Sequence, residues 1–227
     1  MGAERGAARA ELAAVAAAGS PWTGRLRDLP ASPSPRAAAV LILFGVLDAL
    51  HAVHDAQDAA VSRDLDVLLL SRAATLRAHP GQVAFPGGRL DPGDDGPVAA
   101  ALREAEEETG LDPTGVEVLG TLPDVPLEFS GHLVTPVLGW WRHPSPVRVV
   151  DVAESAAVFR APVADLLDPR NRGVTIMRRG GQEWRGPAFD VGGRLVWGFT
   201  AGLLDALFDR LGWTEPWDDE RKFTVAV

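Results

Sequence analysis

Between Arg103 and Leu111 the chain reads REAEEETGL, so that Arg103, Glu104, Glu106, Glu107 and Glu108 put five charges into six consecutive positions. If this stretch is helical, each residue turns the side chain by about 100°, and offsets of three and four return to one face. Glu104, Glu107 and Glu108 then share an arc of about 100°. Like charges at that spacing cost an isolated helix about 0.2–0.5 kcal/mol per pair. Mg²⁺ or Mn²⁺ relieves the repulsion, because hard cations take carboxylate oxygens, keep several waters and leave positions for phosphate oxygens. An isolated acidic run more often faces solvent. Here Leu102, Ala105 and Thr109 flank the acids with residues suited to packing, and Gly87, Gly88 and Gly110 bound a loop, a helix and an exit of defined length. Arg103 adjoins the acids, where its guanidinium can tie down a carboxylate or loop backbone or serve only as a surface cation.

The helix that would carry these acids is predicted from Pro97, suited to a first turn, to Thr109, with Gly110 as its C-cap. Upstream, AAAVLILFGVL from Ala37 to Leu47 reads as a buried strand, Asp66 to Ser71 as a second, and Gln82 to Phe85 as a short third ended by Pro86. Pro86-Gly87-Gly88 and DPGDDGP from Asp91 to Pro97 are turn chemistry. Downstream, Val116 to Leu122 and Leu133 to Trp141 read as strands, Ala161 to Leu167 as a brief helix and Gly173 to Met177 as a strand. Trp197 to Leu211 has the pattern of an amphipathic helix with Phe199, Leu203, Leu204 and Leu207 inward. The Ala-rich stretch from 3 to 18 is expected as a surface helix before the Pro/Ser-rich segment Pro30 to Pro35. Strands and helices alternate without repeats, which points to an α/β/α sandwich with a mixed sheet between helices. Residues 1–36 are read as an N-terminal extension, 37–212 as the folded domain, and 213–227 as an acidic, irregular tail.

Composition narrows the function. With 227 residues, 46% hydrophobic and 23% charged, the chain can bury a core. Its net charge of −9 repels a nucleic-acid backbone, and an acidic enzyme working on phosphates needs a divalent cation as intermediary. The absence of cysteine excludes disulfides, thiolate zinc sites and cysteine nucleophiles and fits a reducing cytoplasm. Glu4, Arg5, Arg9 and Glu11 interrupt any export signal, and no apolar run approaches the ~20 residues of a membrane span. Ser130 lacks a glycine-flanked elbow, and neither a Walker A loop nor a dinucleotide fingerprint occurs. His51 and His54 have a spacing that suits a shared metal, but a solvated loop is the simpler reading; His79 and His132 are given no role.

Arg103 to Leu111 resembles the second half of the Nudix hydrolase signature: Gly, five residues, Glu, seven residues, Arg-Glu-apolar-any-Glu-Glu-any-Gly-apolar. The first half departs from it. Five residues after Gly88 stands Asp94 in place of Glu, eight rather than seven residues before Arg103, whereas Asp95 restores the second spacing and spoils the first. Upstream, LLLSRAATLRAHPGQVAFPGG from Leu68 to Gly88 resembles the additional motif of the coenzyme A pyrophosphatase branch, as do FPGG, the Asp91 and Asp94 turn, and ALREAEEE. The likeness extends from about Val40 to Leu211.

The resemblance implies Mg²⁺- or Mn²⁺-assisted attack of water on a diphosphate, with CoA or acyl-CoA as substrate and adenosine 3′,5′-bisphosphate and (acyl-)phosphopantetheine as products. It implies Glu104 and Glu108 as principal metal ligands, Glu107 as a further ligand or water-orienting group, and Arg103 as the residue that positions them. Glu107 and Glu154 both remain candidates for the general base. Arg72 and Arg77 suit substrate phosphates, including a 3′-phosphate, or are surface charges; Gly87 and Gly88 would line the substrate. A small-molecule nucleotide is the expected partner, without nucleic acid or membrane, and a homodimer is compatible. The acidic helix does not encode the leaving group, so NADH or ADP-ribose remain alternative substrates, and a non-catalytic Nudix-fold binding module is the alternative outside enzymes.

Overall fold

The computed structural model describes residues 2–23, 26, 29, 32–46, 51–75, 81–127, 130–179 and 182–225. A helix α1 (Gly2–Ala18) leads into β1 (Arg36–Val46), followed by β2 (Leu65–Arg72), β3 (Val83–Ala84), β4 (Gly87–Arg89) and α2 (Gly96–Thr109). Then come β5 (Val116–Thr121), β6 (Val125–Leu127), β7 (His132–Trp141), β8 (Ser155–Pro162) and α3 (Val163–Leu167). The chain continues through β9 (Arg172–Arg179), β10 (Gln182–Val191), β11 (Arg194–Val196), α4 (Gly198–Leu211) and β12 (Lys222–Phe223).

Strands β1 to β8 form one sheet with the path β3-β2-β1-β7-β5; β4 joins β1, β6 joins β7 and β8 joins β2. The pairing of β1 with β7 is parallel and the other pairings in this sheet are antiparallel, so the sheet is mixed as predicted. Alternation along β1 explains its two faces. Ala39, Leu41 and Leu43 join Ala100, Ala101 and Ala105 of α2 in one core, while Ile42 and Phe44 join Leu203, Leu204, Leu207 and Phe208 of α4 in the other. The sheet is therefore covered on both faces. Among the described residues no helix is long and apolar enough to cross a membrane.

Several expectations are corrected. Helix α1 is not a surface appendage: Ala8, Leu12 and Ala16 recur every four residues and are buried in the α4-side core, with Leu12 wholly inaccessible. Arg9 pairs with Glu117 of β5, and Trp213 Nε1 donates to Glu11 at 2.7 Å. Strands β4, β6, β8, β10, β11 and β12 were not foreseen, and β4 falls on Gly87 and Gly88, which were read as turn chemistry. Strand β8 takes Ala161 and Pro162 from the start of the predicted helix, and β9 to β12 make a second sheet, ordered β11-β10-β9-β12. The tail is not wholly irregular either. Trp213 and Glu215 are buried and β12 pairs with β9. His54 does not sit in a solvated loop: its Nε2 lies 2.9 Å from Glu215 Oε1, while the backbone amides of Val53 and His54 donate to Asp165.

Candidate active site

The first strand begins, the second ends and β4 runs at the same end of the sheet, so this end collects the candidate residues. Register places Gly88 opposite Ala39 and Gly87 opposite Val40. Strand β4 passes so close to β1 that a Cβ on Gly87 (φ +155°) would lie 2.3 Å from the Ala39 carbonyl oxygen and 2.7 Å from the Val40 Cα. Glycine is required there by backbone on backbone. At Gly88 the reason differs, because a Cβ would stand 2.5 Å from the Glu104 carboxyl group. The missing side chain is the space that Glu104 occupies.

Helix α2 forms as its residues dictate, with Pro97 in the first turn and Gly110 as a left-handed C-cap whose amide donates to the Glu106 carbonyl. Ala100, Ala101, Ala105 and Thr109 are buried against the sheet, which turns Glu104 and Glu108 toward the two glycines. Glu108 accepts the Gly87 N–H at 2.9 Å. Burial, and secondarily the charges of Glu104 and Glu154, push the Glu108 carboxyl up to about 7 against the opposing Gly87 N–H and Arg72. Glu104 is likewise raised, first by burial, with Arg103 opposing. Glu107 stands apart with its side chain 60% exposed, and its carboxylate accepts Arg103 Nη1 at 3.1 Å. The three helix acids thus divide into two half-buried groups at the glycines and one solvent-facing group.

Arg103 organises the loop beneath. Its Nε and Nη2 both donate to Asp94 at 2.9 Å, Nη1 donates to Glu104 at 3.0 Å, and Nη2 also reaches the Arg89 carbonyl at 3.1 Å. Asp94 in turn accepts the Asp91 N–H at 2.8 Å, and these donors, Arg103 foremost, hold it below the usual carboxylate range. The geometry thereby gives Asp94 and Asp95 different places. Asp94 is the clamp on Arg103, and Asp95 is the N-cap residue of α2 with no capping hydrogen bond from its side chain.

The β2–β8 register brings the remaining candidates in. Arg72 pairs with Ser155, and Ala73 N–H donates to the Glu154 carbonyl at 2.8 Å, so Glu154 arrives beside Arg72 and both act electrostatically on Glu108. The Arg72 Nε is buried without a hydrogen-bond partner among the described residues. Arg77 lies outside the described residues, as does His79. Arg36, Arg89 and His132, which sequence reasoning assigned no role, also gather at this end; Arg89 follows Gly88 directly, the one signal that pointed to it. A shallow depression of about 560 Å³ between His51 and Asp64 lies at the other end of β1 and β2 and takes no part.

Among the described residues no three His, Asp or Glu side chains make a closed metal cage. The arrangement is instead an open set of hard oxygens, with Glu104 packed on Gly88 and Glu108 on the Gly87 amide. That donor set fits a divalent cation that retains waters and shares phosphate oxygens.

A NUDIX domain model matches residues 52–138. An uncharacterized Nudix hydrolase, NudL, from Cronobacter sakazakii is 43% identical over 152 residues, covering 64% of this chain and 75% of that protein. NudL of Escherichia coli is 42% identical over the same shares. Among solved structures, a MutT/nudix family protein from Enterococcus faecalis has a TM-score of 0.47 at 18% identity, covering 82% of this chain and 65% of that one. The Nudix hydrolase RenU from M. smegmatis has a TM-score of 0.41 at 25% identity, covering 55% and 69%. At 43% identity across three quarters of a full-length relative, this chain belongs to the Nudix hydrolase family.

Proposed function

We propose that this Nudix hydrolase cleaves the diphosphate of coenzyme A or acyl-CoA, with Mg²⁺ or Mn²⁺, to adenosine 3′,5′-bisphosphate and (acyl-)phosphopantetheine. The observation that carries the hydrolytic reading is the convergence of Glu104, Glu108, Arg72 and Glu154 on the Gly87–Gly88 edge of the sheet. The choice of CoA is supported by the resemblance of Leu68 to Gly88 to the coenzyme A pyrophosphatase motif. Nudix hydrolases generally use divalent metal ions.

Glu104 and Glu108 would hold the cation, and Glu107, exposed beside them, would complete the set through water. A divalent cation held there neutralises the diphosphate charge that otherwise repels a nucleophile. Arg103 fixes Glu104 against the loop, and Asp94 fixes Arg103. Arg72 offers a guanidinium fork to a phosphate oxygen, the geometry that suits bidentate contact. Glu154, exposed just before β8, or Glu107 would accept the proton of the attacking water.

The test is product analysis with CoA, acetyl-CoA, NADH and ADP-ribose, each with Mg²⁺, Mn²⁺ or EDTA. We expect metal-dependent adenosine 3′,5′-bisphosphate from CoA, reduced by about two orders of magnitude or more in Glu108→Gln. A preference for NADH or ADP-ribose overturns the substrate, and no turnover of any diphosphate leaves a ligand-binding module.

A further inference from the structure

On the sheet face opposite α2, three nitrogen-bearing side chains meet at the active-site end. Arg36 stands directly opposite His132 across β1 and β7, and Arg89 stands opposite Ala38, two residues along on the same face. Diagonal neighbours of this kind lie within reach of long side chains. Ala38 raises no obstacle between them, and Arg89 Nε lies 3.3 Å from His132 Nε2 as donor to acceptor. The Arg36 backbone amide donates to the Gly131 carbonyl at 2.9 Å and its Nη2 to the Ser130 carbonyl at 2.7 Å, which holds the guanidinium at the β7 turn.

The charges are unbalanced. In a chain of net charge −9, neither Arg36 nor Arg89 meets a carboxylate within ion-pair distance among the described residues, whereas Arg9, Arg103 and Arg160 each do. Burial and the two guanidiniums hold His132 below the usual imidazole range, so the ring accepts from Arg89 through Nε2 and keeps Nδ1–H as its donor. Two exposed cations and a neutral donor thus converge, and nothing anionic described in the protein answers them. Arg89 is also tied to the catalytic loop, because its carbonyl accepts Arg103 Nη2. Arg89 follows Gly88 directly along β4 and projects to the other face of the strand, so a substrate held at Glu104 reaches it around the β4 edge.

We propose that Arg36, Arg89 and His132 form a binding subsite for a phosphomonoester that the nucleotide substrate carries in addition to its diphosphate. This deepens the reading of the site as a nucleoside-diphosphate hydrolase and rests on it. A dianionic monoester matches the guanidinium forks in charge and shape, while a nucleotide bearing only the diphosphate leaves the subsite empty.

The test is calorimetric binding of adenosine 3′,5′-bisphosphate, AMP and inorganic phosphate to the wild-type chain, Arg36→Gln, Arg89→Gln and the double variant, beside kcat/KM for CoA and 3′-dephospho-CoA. Both arginines are exposed, and the melting temperature of each variant checks that the fold persists. Wild type should bind the bisphosphate at least tenfold more tightly than AMP and far more tightly than phosphate. The double variant should bind both nucleotides alike, with its affinity for AMP unchanged. Equal wild-type affinity for the two nucleotides, or a preference that survives in the double variant, overturns the subsite. Loss of the preference in the double variant, with no CoA turnover by wild type, keeps the subsite and sinks the CoA reading. Metal-dependent CoA turnover whose ratio to dephospho-CoA ignores both arginines does the reverse.

Discussion

Glu108 is asked to be charged where the fold makes charge costly. Its carboxyl is raised to about 7 from an ordinary 4.5, so the native state holds a proton that the unfolded chain has already released. The stability this confers is complete below about 4.5 and is lost as pH rises through about 7. In EDTA the melting temperature should therefore fall between pH 5 and pH 8. Glu108→Gln should flatten that slope and stabilise the protein at pH 8 by about 2 kcal/mol while removing activity. Asp66, raised to about 7 chiefly by burial, contributes a residual slope of the same sign. An unchanged slope in Glu108→Gln would show that the carboxyl is not buried as described. The two glycines should separate in the same way, by cause. Gly88→Ala displaces only the far end of the Glu104 side chain, so it should cost activity tenfold or more with a change in stability below about 1 kcal/mol. Gly87→Ala drives a Cβ into β1 backbone and should destabilise by more than that, and the two melting curves decide.

At the scale of elements, what was legible follows from what is local. Helix α2 carries its own start and stop in Pro97 and Gly110, and β1, β2 and β7 are apolar runs long enough to declare themselves. The acids of α2 could be read because a helix fixes their angular spacing without reference to anything else. What the sequence could not supply was partnership. Strand β8 alternates weakly, with Arg160 in its run, and is recognisable only as the partner of β2. Strand β10 holds Gly186 and Pro187, both poor strand formers, and owes its place to β9. The separation of Glu107 from Glu104 and Glu108 was likewise invisible, since spacing gives one face to all three and only the sheet decides which of them are buried. Asp94 was ambiguous by counting and became clear through Arg103, a contact nine residues away along the chain.

For the whole molecule, the N-terminal helix was misjudged because alanine hides its intent. A stripe of Ala8, Leu12 and Ala16 has little apolar bulk, yet small side chains let a helix lie close to a sheet, and Leu12 is completely enclosed. Leu12→Ala should cost about 2–5 kcal/mol in chemical denaturation, the range for an enclosed leucine. A loss under 1 kcal/mol would return α1 to the surface. Trp213 links this helix to the far end of the domain: it stacks on Phe208, sets its edge against Phe44 and donates to Glu11.

That last bond joins positions 202 apart in sequence. Gathering ends so distant carries a loop-closure entropy that grows as about (3/2)RT ln n, and the expected order of assembly has the helix dock after the sheet and α4 exist to receive it. Stopped-flow traces of Leu12→Ala should accordingly show faster unfolding with an unaltered folding limb, and the lifetime of the native state would be set by a segment that touches none of the chemistry.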